Sequence, residues 1–363
     1  MASNVLHVCE LMVRAVRVPM AEPHRTASGT IAESPLVLTD LRTREGVVGH
    51  SYVFTYTPAA LLPTAALIKN LEPLIAGEVV APLAIAHRLA PRLRLLGAQG
   101  LTGIAMAAVD MAAWDALARA AALPLFRLLG AAARPTPVYG AVGYEGARGS
   151  AATAARWRDR GIASVKAKIG YPTVEEDVAV VRAMREAAGP DAAIMVDYNQ
   201  SLTPVAAAER AGRLDHEGLA WIEEPTAAED HAGLARIAAA AHTPIQAGEN
   251  WWGPHDMMRA IAARATDYVM PDVMKIGGVT GWMRAAALAD AHAIPLSSHL
   301  FPEISAHLLC ASPTAHWLEY SDWWNPILDR PLAVEDGHAV LDETRPGSGV
   351  AWDEAAVARY AVA

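Results

Sequence analysis

A repeat of short apolar strands, each followed by a helical segment, runs from Lys166 to Glu319 and limits how this chain can fold. The strands recur every ~20 to 30 residues, which is the length of a strand, a crossover helix and the return. A charged side chain stands at the end of nearly every strand. Such a repeat predicts a (β/α) barrel, in which the strand ends form the active-site face.

The strand ends share a short apolar run that stops at a polar or charged residue. They are 164–168 (SVKAK), 194–199 (IMVDYN), 221–225 (WIEEP), 245–250 (IQAGEN), 269–272 (VMPD), 296–299 (LSSH) and 316–319 (HWLE). A further run at 138–142 (VYGAV) precedes them and predicts the first barrel strand.

The residues before the barrel predict a smaller α+β domain. Two apolar stretches, 3–18 and 35–56, indicate a three-stranded meander, and residues 21–29 between them are polar and rich in turn formers, which predicts a surface loop. Helical patterns follow at 58–76, 80–96 and 101–122.

The chain has 363 residues, which is long enough for a barrel of about 250 residues and a companion domain. The sequence therefore predicts three segments. We expect an N-terminal α+β domain at 1–130 and a barrel at 131–325. The segment 326–363, with a hairpin turn at Asp336 and Gly337, is expected to leave the barrel and pack back on the first domain.

Charge and cysteine content exclude several classes of protein. The chain has 39 acidic and 30 basic residues, a formal net charge of -9 and no basic block, which argues against binding nucleic acid. No run of about 18 apolar residues indicates a membrane span. Cys9 and Cys310 lack the spacing of a disulfide scaffold or thiolate metal site, and Val5–Leu11 does not resemble an export signal. We therefore expect a cytoplasmic homo-oligomer, with the number of subunits left open.

Three carboxylates, Asp197, Glu223 and Glu249, end successive predicted strands. In a barrel they would converge from neighbouring staves and repel one another unless a cation lay between them. All-oxygen ligation suits a hard ion such as Mg²⁺. The alternative, three separate solvated acids on the barrel rim, is less consistent with their common register.

Lys166 and Lys168 alternate on one strand and therefore face the same side. Crowding of two ammonium groups is expected to lower the pKa of one lysine and make it a usable base. A solvated strand face would show the same Lys-X-Lys pattern. The position of this pair, one strand before the first candidate metal ligand, favours the catalytic interpretation.

Asp272 and His299 end adjacent predicted strands, where the carboxylate can hold one imidazole nitrogen and fix the tautomer. The lysines lie on the second strand and the histidine on the seventh, so they would face each other across the barrel. Glu319, on the eighth strand, is expected to donate a hydrogen bond if burial and acidic neighbours raise its pKa, although it would otherwise be an ordinary rim carboxylate.

Two further polar residues follow the acids, and each has an expected role. Lys275 comes just after Asp272 and could orient the neighbouring acids. Asn199, two residues beyond Asp197, could bind the substrate or orient a metal ligand.

Five long segments in order resemble the mandelate racemase subgroup of the enolase superfamily: 194–202 (IMVDYNQSL), 221–226 (WIEEPT), 248–254 (GENWWGP), 270–282 (MPDVMKIGGVTGW) and 297–320 (SSHLFPEISAHLLCASPTAHWLEY). The resemblance implies a (β/α)₇β TIM-like barrel with an N-terminal α+β capping domain completed by the C-terminal segment. It also implies Mg²⁺ on Asp197, Glu223 and Glu249.

The same resemblance implies roles for the remaining groups. Lys168 is expected as one base, His299 with Asp272 as the other, Lys166 as a contact to the substrate carboxylate and Glu319 as the electrophilic acid. The chain departs from mandelate racemase after the first strand, where Ala141-Val142-Gly143 replaces a serine-containing segment.

The capping loop departs from the racemase as well, which bears on the substrate. His24 and Arg25 replace a valine and a histidine, and Ser28 also stands for a valine. These three residues predict a substrate more polar than mandelate, whereas Ile31 and Tyr56 are candidate apolar walls. A buried guanidinium at Arg25 would be costly against a phenyl ring unless it stacked on the ring face.

The predicted reaction is removal of the α-proton of a small 2-hydroxy carboxylate through an enediolate, leading to racemisation or epimerisation. An acid-sugar dehydratase that yields a 2-keto-3-deoxy acid uses the same intermediate and stays open as the alternative. A non-catalytic binding protein is a distant alternative, because every catalytic position is filled. A hydrolase of the amidohydrolase kind would need histidine ligands near the first strand, and residues 138–143 contain none.

Overall fold

An antiparallel sheet begins the chain in the computed structural model, which describes residues 5–26 and 29–362. Its strands are β1 (Val8–Thr26), β2 (Gly29–Thr43) and β3 (Val48–Phe54), in the order β1-β2-β3. Four helices follow, namely α1 (Pro58–Ile75), α2 (Pro82–Leu93), α3 (Gly100–Ala120) and the short α4 (Leu125–Leu128). The three longer helices confirm those predicted from the sequence, with α2 ending at Leu93 rather than at 96.

The predicted surface loop at 21–29 is wrong for the residues that the structure describes. Strand β1 continues to Thr26 and pairs with β2 through His24 with Ile31 and Arg25 with Thr30, beyond an irregularity after Pro19. Polar residues and turn formers suggested a loop, but residues 24–26 pair with residues 29–31. We call residues 20–26 and 29–33 the hairpin arm.

A parallel barrel follows the first sheet. Its strands and helices are, in chain order, β4 (Thr136–Val142), α5 (Gly146–Asp159), β5 (Val165–Lys168), α6 (Val174–Ala188), β6 (Ile194–Asp197), α7 (Pro204–Leu214), β7 (Trp221–Glu223), α8 (His231–Ala240), β8 (Ile245–Ala247), α9 (Pro254–Ala262), β9 (Tyr268–Val269), α10 (Gly278–Ala291), α11 (Pro302–Cys310) and β10 (Leu318–Tyr320). Parallel pairing runs from β4 to β9, and β10 pairs with β4, which closes the barrel.

The seventh stave is less regular than predicted. Residues 296–299 make only single bridges, Val269 with Leu296, Asp272 with His299 and Leu296 with Ala315. These bridges still connect β9 to the segment before β10, so the carboxyl end of every stave faces one side of the barrel.

Local signals explain where the barrel helices begin. Thr173 accepts a hydrogen bond from the N–H of Glu176, whose side chain bonds back to Thr173, so α6 starts with the predicted capping box. Thr203 caps α7 and Pro204 fills its first turn. Helix α3 is long and apolar enough to meet the criterion for a membrane span, but 78% of that window is buried inside the fold, as expected of a core helix.

The chain after the barrel contacts both preceding parts. A short 3₁₀ turn (Asn325–Ile327) leads to β11 (Ala333–Glu335), β12 (His338–Val340) and α12 (Glu354–Tyr360). Asp336 and Gly337 form the predicted turn with positive φ, and β12 pairs with the start of β4. Trp352 Nε1 donates to Asp40 Oδ1 of the first sheet at 2.8 Å. The segment boundaries at 130 and 325 stay predictions.

Candidate active site

The register of the parallel strands brings the candidate side chains together. Lys168 of β5 pairs with Asp197 of β6, which pairs with Glu223 of β7. Glu249 follows β8 by two residues. All four therefore lie at the carboxyl end of the barrel, where enzymes of this architecture hold their chemistry.

Asp197, Glu223 and Glu249 form a buried cluster in which one ligand oxygen from each lies within 4.8 Å of the others. Burial, together with the neighbouring carboxylates Asp197 and Glu319, raises the pKa of Glu223 to about 8 although the Lys166 ammonium opposes the shift. Glu249 Oε2 is buried, and its cationic neighbour within the described residues is His299 Nε2 at 3.2 Å. Three buried carboxylates this close repel one another, and such an all-oxygen set fits a hard divalent cation such as Mg²⁺.

The two lysines contact these carboxylates directly. Lys166 Nζ lies 2.5 Å from Glu223 Oε1 and 2.9 Å from Glu319 Oε1, and Lys168 Nζ lies 2.5 Å from Asp197 Oδ2. Burial lowers the pKa of each lysine, but Glu223 and Glu319 beside Lys166, and Asp197 beside Lys168, outweigh it, so both values are raised. The predicted lowering of a lysine pKa is therefore wrong, because attraction to the carboxylates exceeds the repulsion between the two ammonium groups.

Asp272 and His299 form the predicted dyad. His299 Nδ1 lies 2.6 Å from Asp272 Oδ2, while Asp272 Oδ1 accepts the N–H groups of Met274 and Lys275 at 2.7 and 3.1 Å. The imidazole Nε2 is thereby directed into the site, 3.2 Å from Glu249 Oε2. Burial lowers the pKa of His299, but Glu249 and the bond to Asp272 outweigh it and raise the value.

Glu319 is buried, as expected, yet its acidity differs from the prediction. Burial raises its pKa, but the cationic neighbours Lys166 and His299 outweigh burial and lower the value to about 2. Its Oε2 also accepts the N–H of Leu300 at 3.0 Å. The sequence indicated burial and acidic neighbours for Glu319 but could not reveal the contact with Lys166.

The hairpin arm covers one side of the barrel mouth and orients its side chains alternately. His24 is buried, with its ring centroid 5.0 Å from that of Trp323, and burial together with Lys168 lowers the pKa of His24 to about 3. Arg25, which was predicted to line the substrate site together with His24, is exposed, because successive residues of a strand face opposite sides. Ile31 pairs with His24 and is half-buried. Ser28 lies outside the described residues.

Tyr56 and Lys275 meet on the side of the dyad. The Tyr56 hydroxyl lies 3.5 Å from Asp272 Oδ2, and Lys275 Nζ lies 4.8 Å from the centroid of the Tyr56 ring. Lys275 donates to Asn250 Oδ1 at 2.7 Å. Lys275 thus contacts Asn250 and Tyr56 contacts Asp272. These contacts are consistent with an orienting role for Lys275.

Sequence reasoning missed two polar residues of the site, Glu224 and Asn250. Asn250 Nδ2 donates to Glu224 Oε2 at 2.8 Å and to Glu249 Oε1 at 3.2 Å. Burial and the nearby Glu249 carboxylate raise the pKa of Glu224 well above its usual range. The signal was a second polar residue directly after Glu223 and after Glu249. Asn199 is comparable but stands two residues beyond Asp197, and its amide donates to Asp197 Oδ2 at 3.0 Å.

A capped parallel barrel with three buried acids, a Lys-X-Lys strand and an Asp–His pair at one end defines a metal-dependent enzyme built for acid–base chemistry. The chain belongs to the mandelate racemase/muconate lactonizing enzyme family of the enolase superfamily. Residues 8–130 match the family described as "Mandelate racemase / muconate lactonizing enzyme, N-terminal domain", and residues 149–356 match "Enolase C-terminal domain-like".

Similar proteins of known structure and function span several reactions. An enolase from Bradyrhizobium, crystallised with magnesium and mandelic acid, is 44% identical, with a TM-score of 0.96 and full coverage of both chains. L-talarate/galactarate dehydratase from Salmonella typhimurium is 31% identical over 90% of this chain and 82% of its own. A 3,6-anhydro-α-L-galactonate cycloisomerase from Streptomyces coelicolor is 32% identical over 92% of this chain and 93% of its own. The protein is thus a Mg²⁺-dependent enzyme of this superfamily.

Proposed function

We propose that the protein is a racemase or epimerase that removes the α-proton of a 2-hydroxy carboxylate and returns a proton to the opposite face, through an enediolate. The observation that supports the proposal is the position of Lys168 and His299 on the second and seventh barrel strands, with the third to fifth strands, which carry the three acids, between them. Inversion of a stereocentre needs a base on each side of the substrate, and these two groups supply them.

The three carboxylates are proposed as the ligands of the cation. Mg²⁺ held by Asp197, Glu223 and Glu249 would supply positive charge to the developing enediolate and would compete with the two ammonium groups for the carboxylate oxygens. Lys168, once separated from Asp197, loses the contact that raises its pKa and can accept the α-proton.

On the other face, His299 Nε2 is the proposed proton carrier, since Asp272 holds Nδ1. Lys166 is proposed to bind the substrate carboxylate. The Lys166 ammonium is the group that most lowers the pKa of Glu319. A substrate carboxylate bound to Lys166 would draw this ammonium away from Glu319. Glu319 could then take up a proton and donate a hydrogen bond to the enediolate, where charge develops.

A dehydratase is the second candidate, and the similarity to L-talarate/galactarate dehydratase favours it. After α-proton removal by Lys168, protonated His299 would transfer its proton to a C3 hydroxyl, which leaves as water. The enol so formed tautomerises to a 2-keto-3-deoxy acid. Both candidates use the same residues, and only the presence of a leaving group at C3 separates them.

The substrate is proposed to be more polar than mandelate. His24 is neutral because burial and Lys168 lower its pKa, so it would offer a hydrogen-bonding ring to a substrate hydroxyl. Ile31 and Tyr56 are the proposed apolar walls, while Asn199 and Lys275 orient Asp197 and Asn250. A cytoplasmic homo-oligomer remains part of the proposal.

The test is incubation of the enzyme with Mg²⁺ in D₂O and a panel of 2-hydroxy acids and acid sugars, followed by NMR. Deuterium at C2 of both stereoisomers, without a new product, supports a racemase or epimerase. Stoichiometric 2-keto-3-deoxy acid supports the dehydratase. Absence of both exchange and product across the panel, in a folded preparation that binds Mg²⁺, would count against α-proton abstraction.

A further inference from the structure

Asp177 is a fully buried carboxylate in the first turn of α6 that belongs to none of the groups assigned above. Its Oδ1 accepts the backbone N–H groups of Gly170 and Tyr171, both at 2.9 Å. Its Oδ2 accepts the hydroxyl of Tyr198 at 2.9 Å and Nη1 of Arg210 at 2.6 Å. Four donors from three separate parts of the chain thus converge on one side chain.

Three of these donors lie in the loops that follow β5 and β6, and the fourth, Arg210, lies in α7. Gly170 and Tyr171 come two and three residues after Lys168, at the end of β5, and Tyr198 directly follows Asp197, at the end of β6. Lys168 Nζ and Asp197 Oδ2 are themselves 2.5 Å apart. Asp177 therefore ties together the two loops that flank this lysine–carboxylate pair.

The surroundings leave these loops little freedom. Arg210 also donates to the carbonyl of Tyr171 at 2.9 Å, which closes a ring of contacts with Asp177. Gly170 has a φ of +111°, and a Cβ there would lie 3.4 Å from the Tyr198 ring and 3.1 Å from Ser201 Oγ. Only an ionised carboxylate can accept from all four donors, because an amide would direct its NH₂ group at one of the two donor pairs.

The same loop supports the hairpin arm. The Tyr171 ring stacks on that of Tyr144, with centroids 4.0 Å apart and an interplanar angle of 15°. The N–H of Tyr144 in turn donates to the carbonyl of Arg25 at 2.8 Å. A shift of the loop after β5 would therefore also disturb the strand that carries His24.

We propose that Asp177 is a positioning residue that fixes the spacing between Lys168 and Asp197, and with it the alignment of the base with the metal ligands. The inference rests on the proposed function of those two groups. Asp177 touches neither substrate nor cation, so its loss should leave the functional groups present but misaligned. Residues that hold metal ligands in place typically contribute about 10- to 100-fold to metal affinity or activity.

The chain contains a matched control at Asp115 in α3. Asp115 is also fully buried and accepts two backbone N–H groups, of His50 at 2.8 Å and Ser348 at 2.6 Å. It accepts a hydroxyl and an arginine too, from Ser348 Oγ at 2.8 Å and Arg119 Nε at 2.5 Å. These contacts join α3, β3 and the C-terminal tail rather than the loops at the barrel mouth, so the two carboxylates differ chiefly in location.

The experiment compares Asp177→Asn, Asp115→Asn and wild type. Mn²⁺ binding is followed by electron paramagnetic resonance, α-proton exchange gives kcat and KM, and circular dichroism gives Tm. We expect Asp177→Asn to lower Mn²⁺ affinity and kcat by about tenfold or more, with KM within about threefold. Asp115→Asn is expected to lower Tm while leaving Mn²⁺ affinity and kcat close to wild type.

Unchanged kcat and Mn²⁺ affinity in Asp177→Asn, or equal losses in both variants, would overturn the proposal. If Asp177→Asn does not fold, Tyr198→Phe decides, since it removes one donor only: reduced Mn²⁺ affinity supports the proposal and wild-type affinity refutes it. Mn²⁺ binding needs no turnover, so it still tests the role of Asp177 if wild type exchanges no α-proton, a result that would refute the proposed reaction alone.

Discussion

At the residue scale, the charges in the site are set by a few direct contacts. Lys166 joins Glu223 and Glu319, while His299 lies between Asp272 and Glu249. Burial alone would favour the neutral forms of the lysine, the histidine and the acids. Opposite charges within about 3 Å outweigh burial for Lys166, His299 and Glu319, whereas burial and neighbouring carboxylates keep the pKa of Glu223 raised to about 8. The replacement of one member should therefore change the protonation of its neighbours.

The two proposed bases lead to a prediction with a distinct isotopic pattern. Lys168→Ala and His299→Asn should each abolish racemisation, because each removes the proton carrier of one face. Each variant should still exchange the α-proton of the enantiomer whose proton faces the surviving base. NMR in D₂O with the separate enantiomers measures this, and a single variant that interconverts them at the wild-type rate would rule out two bases.

Glu319 is predicted to act in the transition state. Glu319→Gln should lower kcat by about 100-fold or more with little change in KM, since the amide cannot match a carboxylic acid as a donor to the enediolate. Steady-state kinetics measure both constants. Glu303→Gln is a control for the loss of a buried acid, because Glu303 bonds to Tyr52 and Trp324 instead. An effect confined to KM would make Glu319 a binding residue.

At the element scale, alternation along the hairpin arm decides which side chains can reach the substrate. His24 faces inward and Arg25 faces solvent, although they are neighbours in the sequence. Their orientation depends on the pairing of β1 with β2 beyond Pro19, which a sequence of turn formers does not suggest. Specificity should therefore depend on every second residue of this strand.

Paired substitutions test this alternation. His24→Val should shift kcat/KM away from polyhydroxylated acids and toward mandelate by about tenfold, because it removes a hydrogen-bonding ring and leaves an apolar surface. Arg25→Ala should change the ratio by less than about twofold. Competition kinetics with an aldonic acid and mandelate give the ratio. A larger effect from Arg25→Ala than from His24→Val would refute the inward orientation of His24.

The packing of α11 on α4 provides a prediction for pH dependence. His307 is buried, stacks on Phe126 and accepts its backbone N–H at 3.3 Å, and burial lowers the pKa of His307 to about 4. In the unfolded chain this histidine has an ordinary pKa near 6.5. Between about pH 6.5 and 4 the unfolded state therefore binds more protons than the folded state, and the free energy of unfolding falls as the pH falls.

This histidine should contribute a loss of up to about 1 kcal/mol per pH unit in that window. His307→Asn keeps an acceptor for the N–H of Phe126 without a titrating ring, so its unfolding free energy should depend less steeply on pH. Urea denaturation at pH 7, 6 and 5 measures the difference. The exposed His338→Asn serves as the control, and an identical slope in His307→Asn and wild type would contradict the prediction.

Much of the site could be predicted from the sequence because parallel strands of similar length bring their ends to one face. Asp197, Glu223 and Glu249 needed only this regularity. The protonation states of Glu319 and Lys166 could not be predicted from the sequence, because they depend on the contact between these two residues, whose strands are far apart in the chain. Glu224 and Asn250 were missed because each follows a stronger candidate and was not considered separately.

At the scale of the whole molecule, the site needs both the barrel and the parts that cover it. The barrel supplies the acids, lysines and dyad, whereas the hairpin arm places His24, and the segment after β3 places Tyr56, near them. Trp352 and Asp40 join the C-terminal tail to that sheet. The arm is held on the loop after β4 by the hydrogen bond from the N–H of Tyr144 to the carbonyl of Arg25.

The most direct test of the account is the metal dependence of α-proton exchange. Enzyme freed of metal with EDTA, and shown to be metal-free by elemental analysis, should incorporate no deuterium at C2 of its substrate in D₂O. Without a cation, Glu223 and Asp197 bind Lys166 and Lys168 instead. Addition of Mg²⁺ should restore exchange in wild type but not in Asp197→Asn. Exchange at the full rate in the metal-free enzyme would contradict the account.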